Sequence, residues 1–295
     1  MKLKYSVLAL ALAVAGCMTP AFGQVKYSFQ NVNYPDDTFT QFLGINNSGI
    51  VAGYHGASIN KGFTYDPATN VFTSENYPGS AQTQVTGINN SGKTVGFYIT
   101  SGNQNIGFEY KGGVFSPRGE PGTPFNQLLG QNDSGQASGY YSTNLAGTNP
   151  DHAYILEEFG GVFAVFTLPN APNGAQATGI NNAQDVCGFF IDGNNVTHGW
   201  LLVTGTFTVL DYPGASSTSA LGLNNKGLLV GSYTDSVGSH GFVYNVNTKK
   251  YQSVDDPDAP AGTTVVNGLN DNGVLVGFFG NSPDNTAFIA TPETD

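Results

Sequence analysis

The chain has 295 residues, of which 39% are hydrophobic, 12% aromatic and only 11% charged, with 40 glycines. Few charges beside many Tyr, Phe, Val and Thr argue against disorder and against a helical bundle, and for short strands joined by tight turns. The formal net charge is −11, so nucleic acid and an anionic membrane surface, which need clustered Lys and Arg, are disfavoured. A cationic ligand, a metal ion or a neutral sugar is compatible with that charge, as is the simpler reading that acids spread over loops maintain solubility.

The N-terminus reads as an export signal, residues 1–23. Lys2 and Lys4 form its basic region, Tyr5 to Ala15 its apolar core, and Pro20-Ala21-Phe22-Gly23 a cleavage site before Gln24. The apolar run is too short for a membrane span. Lys2 and Lys4 are the only charges in this leader, so the remainder carries −13. Val14-Ala15-Gly16-Cys17 also resembles a bacterial lipobox, in which Cys17 would carry a lipid anchor. The expected location is secreted or periplasmic, or membrane-anchored through Cys17. Cys187 is then alone, and its repeat position holds Ala52, Val95, Ser138, Val230 and Val276 in the other copies, which predicts a small core residue rather than a catalytic thiol.

From there the chain repeats. Gly44-Ile45-Asn46-Asn47-Ser48-Gly49 recurs at Gly87, Gly130, Gly179, Gly222 and Gly268, at intervals of 43, 43, 49, 43 and 46 residues. That period belongs to stacked supersecondary units. A further glycine follows each copy at one offset: Gly53, Gly96, Gly139, Gly188, Gly231 and Gly277.

Each unit reads as four strands. The first runs into Gly-Ile-Asn, Asn-Ser-Gly turns the chain back, and the second carries the later glycine, which predicts close packing between neighbouring units. A small-aromatic strand follows, such as Gly62-Phe63 or Gly199-Trp200. The fourth begins with an aromatic and reaches a proline six residues on, as in Phe72 to Pro78 and Phe207 to Pro213. The sixth unit ends after Phe288 without a fourth strand, while Phe29 and Pro35 show the same six-residue spacing at the other end. The expected fold is therefore all-β: a single domain over 24–295, a six-bladed β-propeller with four-stranded blades, closed by an N-terminal strand completing the last blade. An open solenoid would need terminal caps.

The pattern Gly-Ile-Asn-Asn-Ser-Gly-x-x-Val-Gly, then His-Gly-Phe, then Phe-x-x-x-Asp-Tyr-Pro-Gly-Ala resembles the HAF-type extracellular repeat proteins of bacteria, most clearly over Gly179 to Ala215 and Gly222 to Tyr244. The resemblance covers nearly everything after the leader. It implies export and a propeller-like repeat, and it brings no general activity or catalytic residues. Gln184 departs from it by standing where the turn glycine belongs.

Candidate chemistry is sparse. His152, His198 and His240 share one register, but on third strands they should lie too far apart for metal bonds of about 2.1 Å; His55 stands alone in a loop. Gln41, Gln84, Gln127 and Gln176, preceded by Thr40, Thr83, Asn126 and Ala175, are expected near the mouth of a central channel. There they would bind a sugar or ordered water, or tie blade to blade. One loop face gathers Asp36, Asp37, Glu120, Asp211, Asp255, Asp256 and Asp258 with Asp151, Asp192, Asp235 and Asp284, carboxylates that suit acid–base hydrolysis or calcium, though no Asp-x-Asp-x-Asp-Gly loop is present. Tyr34, Tyr77 and Tyr212 add stacking surfaces, a feature of sugar sites and equally of packed loops.

Gly-x-Ser-x-Gly, phosphate-loop, His-Glu-x-x-His and Cys-x-x-Cys signatures are absent from the sequence. The expectation is a monomeric, non-enzymatic binding or scaffold module for an extracellular glycan or protein, with no cofactor and no metal. The alternatives are a glycoside hydrolase or lyase using loop carboxylates, and a purely structural surface protein. Function is sought where the copies differ, above all in the long loops of the third unit, Tyr141 to Asp151 and Asn170 to Gly174.

Overall fold

The computed structural model describes residues 24–145, 150–157, 163–281 and 283–293; the leader and Cys17 lie outside the described residues. Within them the chain is all strand and turn. β1 (Tyr27–Val32) precedes the first unit, β2 to β5 (Thr40–Ile45, Val51–His55, Lys61–Asp66, Val71–Ser74). The second unit is β6 to β9 (Gln82–Ile88, Thr94–Ile99, Asn105–Lys111, Val114–Pro117). The third is β10 to β13 (Phe125–Gln131, Ala137–Ser142, His152–Leu156, Phe163–Val165). The fourth is β14 to β17 (Ala175–Ile180, Val186–Ile191, Thr197–Val203, Thr206–Leu210) and the fifth β18 to β21 (Ser217–Leu223, Leu228–Thr234, Ser239–Asn245, Lys250–Val254). The sixth has β22 to β24 (Thr264–Leu269, Leu275–Asn281, Asp284–Pro292).

Successive strands in a unit pair antiparallel, and β1 completes the sixth: the sheet order is β1-β24-β23-β22, with Tyr27 opposite Pro292 and Val32 opposite Ala287. The N-terminal strand thus covers what would be a bare edge. The arrangement is that of a propeller, but its sheets are not six separate blades. Four sheets have four strands each, and the second and third units join into one eight-stranded sheet. The cause is a single parallel pair, Phe125 with Asn105. Equivalent bridges, Phe39 with Asn285 and Ser239 with Thr263, link other neighbours outside named strand pairings. Between β8 and β10 both partners lie within regular strand, so the two sheets run together.

The apolar residues are buried between neighbours rather than inside single sheets. Phe42, Phe63 and Tyr65 of the first unit pack with Val276, Ala287 and Ile289 of the last. Cys187 and Leu201 pack with Leu229 and Phe242, and Ala153 packs with Val186 and Trp200. The alternation of strand side chains puts one set of residues on each flank of a sheet, so every flank has a neighbour to cover it.

The two glycine registers do different work. A Cβ on Gly44 would stand 3.1 Å from the Cα of Gly87, and the same contact, at 3.1–3.3 Å, continues through Gly130, Gly179, Gly222 and Gly268 back to Gly44. These six glycines let the inner strands meet around the axis. The later glycine was expected to serve neighbouring units, and here the structure differs. A Cβ on Gly53 would overlap the carbonyl oxygen of Gln41 in its own unit, as on Gly188 it would overlap that of Gln176. Each inner hairpin has a register shift at this point, for example between Phe42 and Gly44, and the bulge turns a carbonyl toward the partner strand.

Candidate functional site

The two ends of the axis are chemically distinct. At the hairpin end, the Asn46 side-chain oxygen accepts the backbone N–H groups of Ser48 and Ile50, both at 3.0 Å, which closes the turn. Its Nδ2 donates to the backbone carbonyl of Asn89 in the next unit. The same bond runs from Asn89 to Asn132, then to Asn181, Asn224 and Asn270, and from Asn270 back to Asn46, at 3.0–3.3 Å. All six side chains are buried. One residue type therefore both shapes the turn and bonds the ring shut.

A second ring lies just outside. The backbone N–H of Asn47 donates to Asn90 Oδ1, and the pattern continues through Asp133, Asn182, Asn225 and Asp271 back to Asn47, at 2.8–2.9 Å. Each side-chain Oδ1 is thereby occupied, and four amide donors remain. Asn90 and Asn182 both donate to Asp133 Oδ2, and Asn47 and Asn225 both donate to Asp271 Oδ2, at 2.8–2.9 Å. Two carboxylates placed three units apart give all four amides an acceptor, which a ring of six asparagines would lack. Burial opposes charge on both acids, but the hydrogen bonds from Asn182 and Asn90, and from Asn225 and Asn47, outweigh it and hold both carboxyls below the usual range.

These segments line an axial cavity of about 110 Å³, space for a few waters at about 30 Å³ each. Gln41, Gln84, Gln127 and Gln176 do not line it; they sit at the opposite end of the inner strands. Gln84 Nε2 donates to Asn60 Oδ1 at 2.7 Å, Gln127 to Asn105 at 3.1 Å and Gln176 to Asp151 at 2.7 Å, in each case reaching the preceding unit. Gln41 accepts a bond from Tyr54 of its own unit. The alternative reading, hydrogen bonds tying unit to unit, describes three of the four.

The tyrosines of the loop face are wedges. Tyr34 stacks on His55, Tyr77 on Tyr98 and Tyr212 on Tyr233, each with ring centroids 3.6 Å apart. Their backbone N–H groups donate to Thr40, Thr83 and Thr218 at 2.8–3.1 Å, so the threonine register holds the crossing while the ring fills it. Each of these rings thus stacks on a ring of the protein itself, the arrangement of packed loops.

His55, His198 and His240 are held by carboxylates. His198 Nδ1 lies 2.9 Å from Asp211 and its Nε2 3.7 Å from Asp192; His240 Nδ1 lies 2.9 Å from Asp255 and its Nε2 3.3 Å from Asp235. Burial would lower the His240 pKa, but the hydrogen bond and charge of Asp255, with those of Asp235, raise it. His152 stacks on Tyr141. His55 ends β3 rather than standing alone in a loop, and its Nδ1 is 2.8 Å from Asp37. Among the described residues no group of three or more His, Cys, Asp or Glu is arranged to hold a metal ion. The outer carboxylates of the clamps stay open to solvent, with Asp211 52% and Asp255 41% exposed. Asp151 and Asp256 sit deeper, and burial raises both.

A second cavity, about 220 Å³, opens where the second unit crosses to the third, beside Asn105, Ile106, Arg118 and Glu120. Sequence reasoning missed it, although Arg118 is the only arginine in the chain.

No family model and no curated protein matches the chain. Among solved structures it is similar to a gluconolactonase-like protein, with a TM-score of 0.55 at 13% identity over 94% of this chain and 97% of that one. The fold they share is a β-propeller. A prolyl endopeptidase aligns with a TM-score of 0.51 at 10% identity over 91% of this chain, which spans only 43% of that chain. The Aleuria aurantia lectin, solved with α-methyl-L-fucoside, aligns with a TM-score of 0.50 at 10% identity over 85% of this chain and 94% of that one. No helix among the described residues is long and apolar enough to cross a membrane.

Proposed function

We propose that the protein is an exported, six-bladed member of the HAF-type repeat proteins that acts as a binding module for an extracellular glycan or protein. The eight-stranded sheet then counts as two blades sharing one bridge. The observation that carries this reading is the loop face. His–Asp clamps and tyrosine wedges fix its shape, while Asp211 and Asp255 present carboxylate edges to solvent. A surface ordered before binding loses little entropy on binding, which suits recognition. The similarity to a sugar-binding lectin supports a glycan as the first ligand class to try.

The test is a glycan array, with binding to extracellular matrix proteins measured in parallel, on residues 24–295, and a polysaccharide-degradation screen beside it. Saturable binding that falls when Asp211 and Asp255 become Asn is the expected result. Degradation that vanishes with either substitution would replace the binding reading with a hydrolase or lyase.

A further inference from the structure

Several junctions of the loop face are fastened by a His–Asp clamp or a tyrosine wedge, and the junction of the second and third units has neither. Units four and five fill the space between third strand and crossing with His198–Asp211 and His240–Asp255. The second unit has Ile106 at the histidine register and Gly119 at the aspartate register. A side chain at 119 is blocked, because a Cβ there would meet the Asn126 amide within 2.5–2.9 Å. Asn126 replaces the usual threonine and is itself anchored, donating to Thr123 and accepting from Tyr154. At the wedge position, where Tyr34, Tyr77 and Tyr212 stand in other crossings, this one has Glu120. The unfilled space is the cavity of about 220 Å³.

We propose that this cavity binds one neutral pyranose unit of a glycan, an inference that rests on reading the protein as a glycan-binding module. Its volume lies below the roughly 300 Å³ lower end of drug-sized sites, so it suits a single ring. Ile106 and Pro117 offer an apolar wall for the C–H face of a sugar. Arg118 and Glu120 border the same space with opposite charges, and charged groups make the stronger hydrogen bonds to hydroxyls. Arg118 is set in place by donating Nη2 to the Glu157 carbonyl at 3.1 Å, with its Nε 4.0 Å from Glu109. A charged ligand would meet its own sign within the cavity, whereas a neutral polyol uses both groups. The site falls where the repeat is broken, at the junction already marked by the fused sheet.

The test is calorimetry and saturation-transfer NMR on residues 24–295 with methyl glycosides of neutral hexoses and of fucose, and methyl glucuronide as the anionic comparison. Two variants accompany it. The triple variant Ile106→His, Gly119→Asp, Asn126→Thr restores the pattern of units four and five and fills the cavity; Glu120→Gln keeps the shape and removes the charge. A neutral glycoside should bind, with affinity about tenfold lower in Glu120→Gln, the loss expected for a charge-assisted hydrogen bond. Binding should be lost in the triple variant while its melting temperature holds. The proposal is overturned if no neutral glycoside binds, if the triple variant binds equally well while folded, or if the glucuronide binds more tightly than every neutral sugar. Array binding that survives the triple variant would leave the glycan-binding role standing and remove this cavity from it. Glycoside binding at the cavity with a blank array would do the reverse.

Discussion

Replacing Asn89 by Asp isolates the bond that joins units at the hairpin end. Asn89 Oδ1 accepts from the Ser91 and Lys93 backbone N–H groups and the Ser91 hydroxyl, and a carboxylate keeps those bonds. What is lost is the Nδ2 donor to the Asn132 carbonyl at 3.1 Å, replaced by an anionic oxygen facing that carbonyl at a residue only 4% exposed. The lost hydrogen bond costs about 1 kcal/mol and the mismatched buried charge about 1–3 more, so Asn89→Asp should destabilise by about 2–4 kcal/mol. For a chain of this size that lowers the melting temperature by about 4–10 °C.

The sign of the pH dependence follows from the same geometry. The introduced carboxyl has a raised pKa in the fold, so its favourable neutral form is present below the unfolded value near 3.9 and is lost as pH rises through the folded one. The gap to wild type, measured by calorimetry, should be wide at pH 7 and narrow near pH 4, where a protonated carboxyl can again donate to Asn132. Asn89→Ala, which abandons three donors, should be destabilised at both. An Asn89→Asp protein as stable as wild type at pH 7, or a gap that does not change with pH, would refute the ring as a source of stability.

Gln184 adopts φ +66° in the turn where other units have glycine, and an L-residue there costs about 1–2 kcal/mol; after allowing for the freer unfolded chain, Gln184→Gly should stabilise by about 0.5–1 kcal/mol in urea titrations. Asp133 and Asp271 have lowered pKa values, so their contribution is present above the unfolded value near 3.9 and lost as pH falls through the folded one. The double Asp→Asn variant should show a flatter fall in melting temperature between pH 5 and pH 2 on this scale. Burial pushes the Cys187 thiol up to about 12, and a thiol reagent should label it only after denaturation. Deleting residues 24–35 removes β1 and exposes the length of β24; aggregation or a sharp fall in melting temperature is expected, and unchanged melting of soluble protein would contradict closure by that strand.

The repeat period, the hairpin turn and the closing strand were legible because each rests on local chemistry. Phe29 and Pro35 announce a fourth strand through spacing alone, and Asn-Ser-Gly announces a turn through its tolerance of left-handed backbone. The roles of the two glycine registers were not legible. Both ask for a missing Cβ, but only the bulge between Phe42 and Gly44 decides that Gly53 meets its own unit. The fused sheet rests on one bridge, Phe125 with Asn105, and no residue type advertises it. For the candidate site the limit was similar. Tyr34, Tyr77 and Tyr212 look alike as stacking surfaces or as wedges until His55, Tyr98 and Tyr233 are seen against them.

Recurrence in this chain separates two kinds of residue. Asn46 and its five counterparts recur because a closed ring of hydrogen bonds needs one donor from every unit, and a single omission leaves a gap. Asp133 and Asp271 depart from the asparagine at their register, yet the departure completes the same network, since each serves the amides of two neighbours. Their charge is thus explained by structure. Gly119, Glu120 and Asn126 depart together, and although Asn126 bonds to Thr123 and Tyr154, neither a clamp nor a wedge fills the junction, which leaves a cavity bordered by the only arginine. A substitution compensated within the ring points to folding, whereas one that opens space and places opposite charges around it points outward, to a ligand.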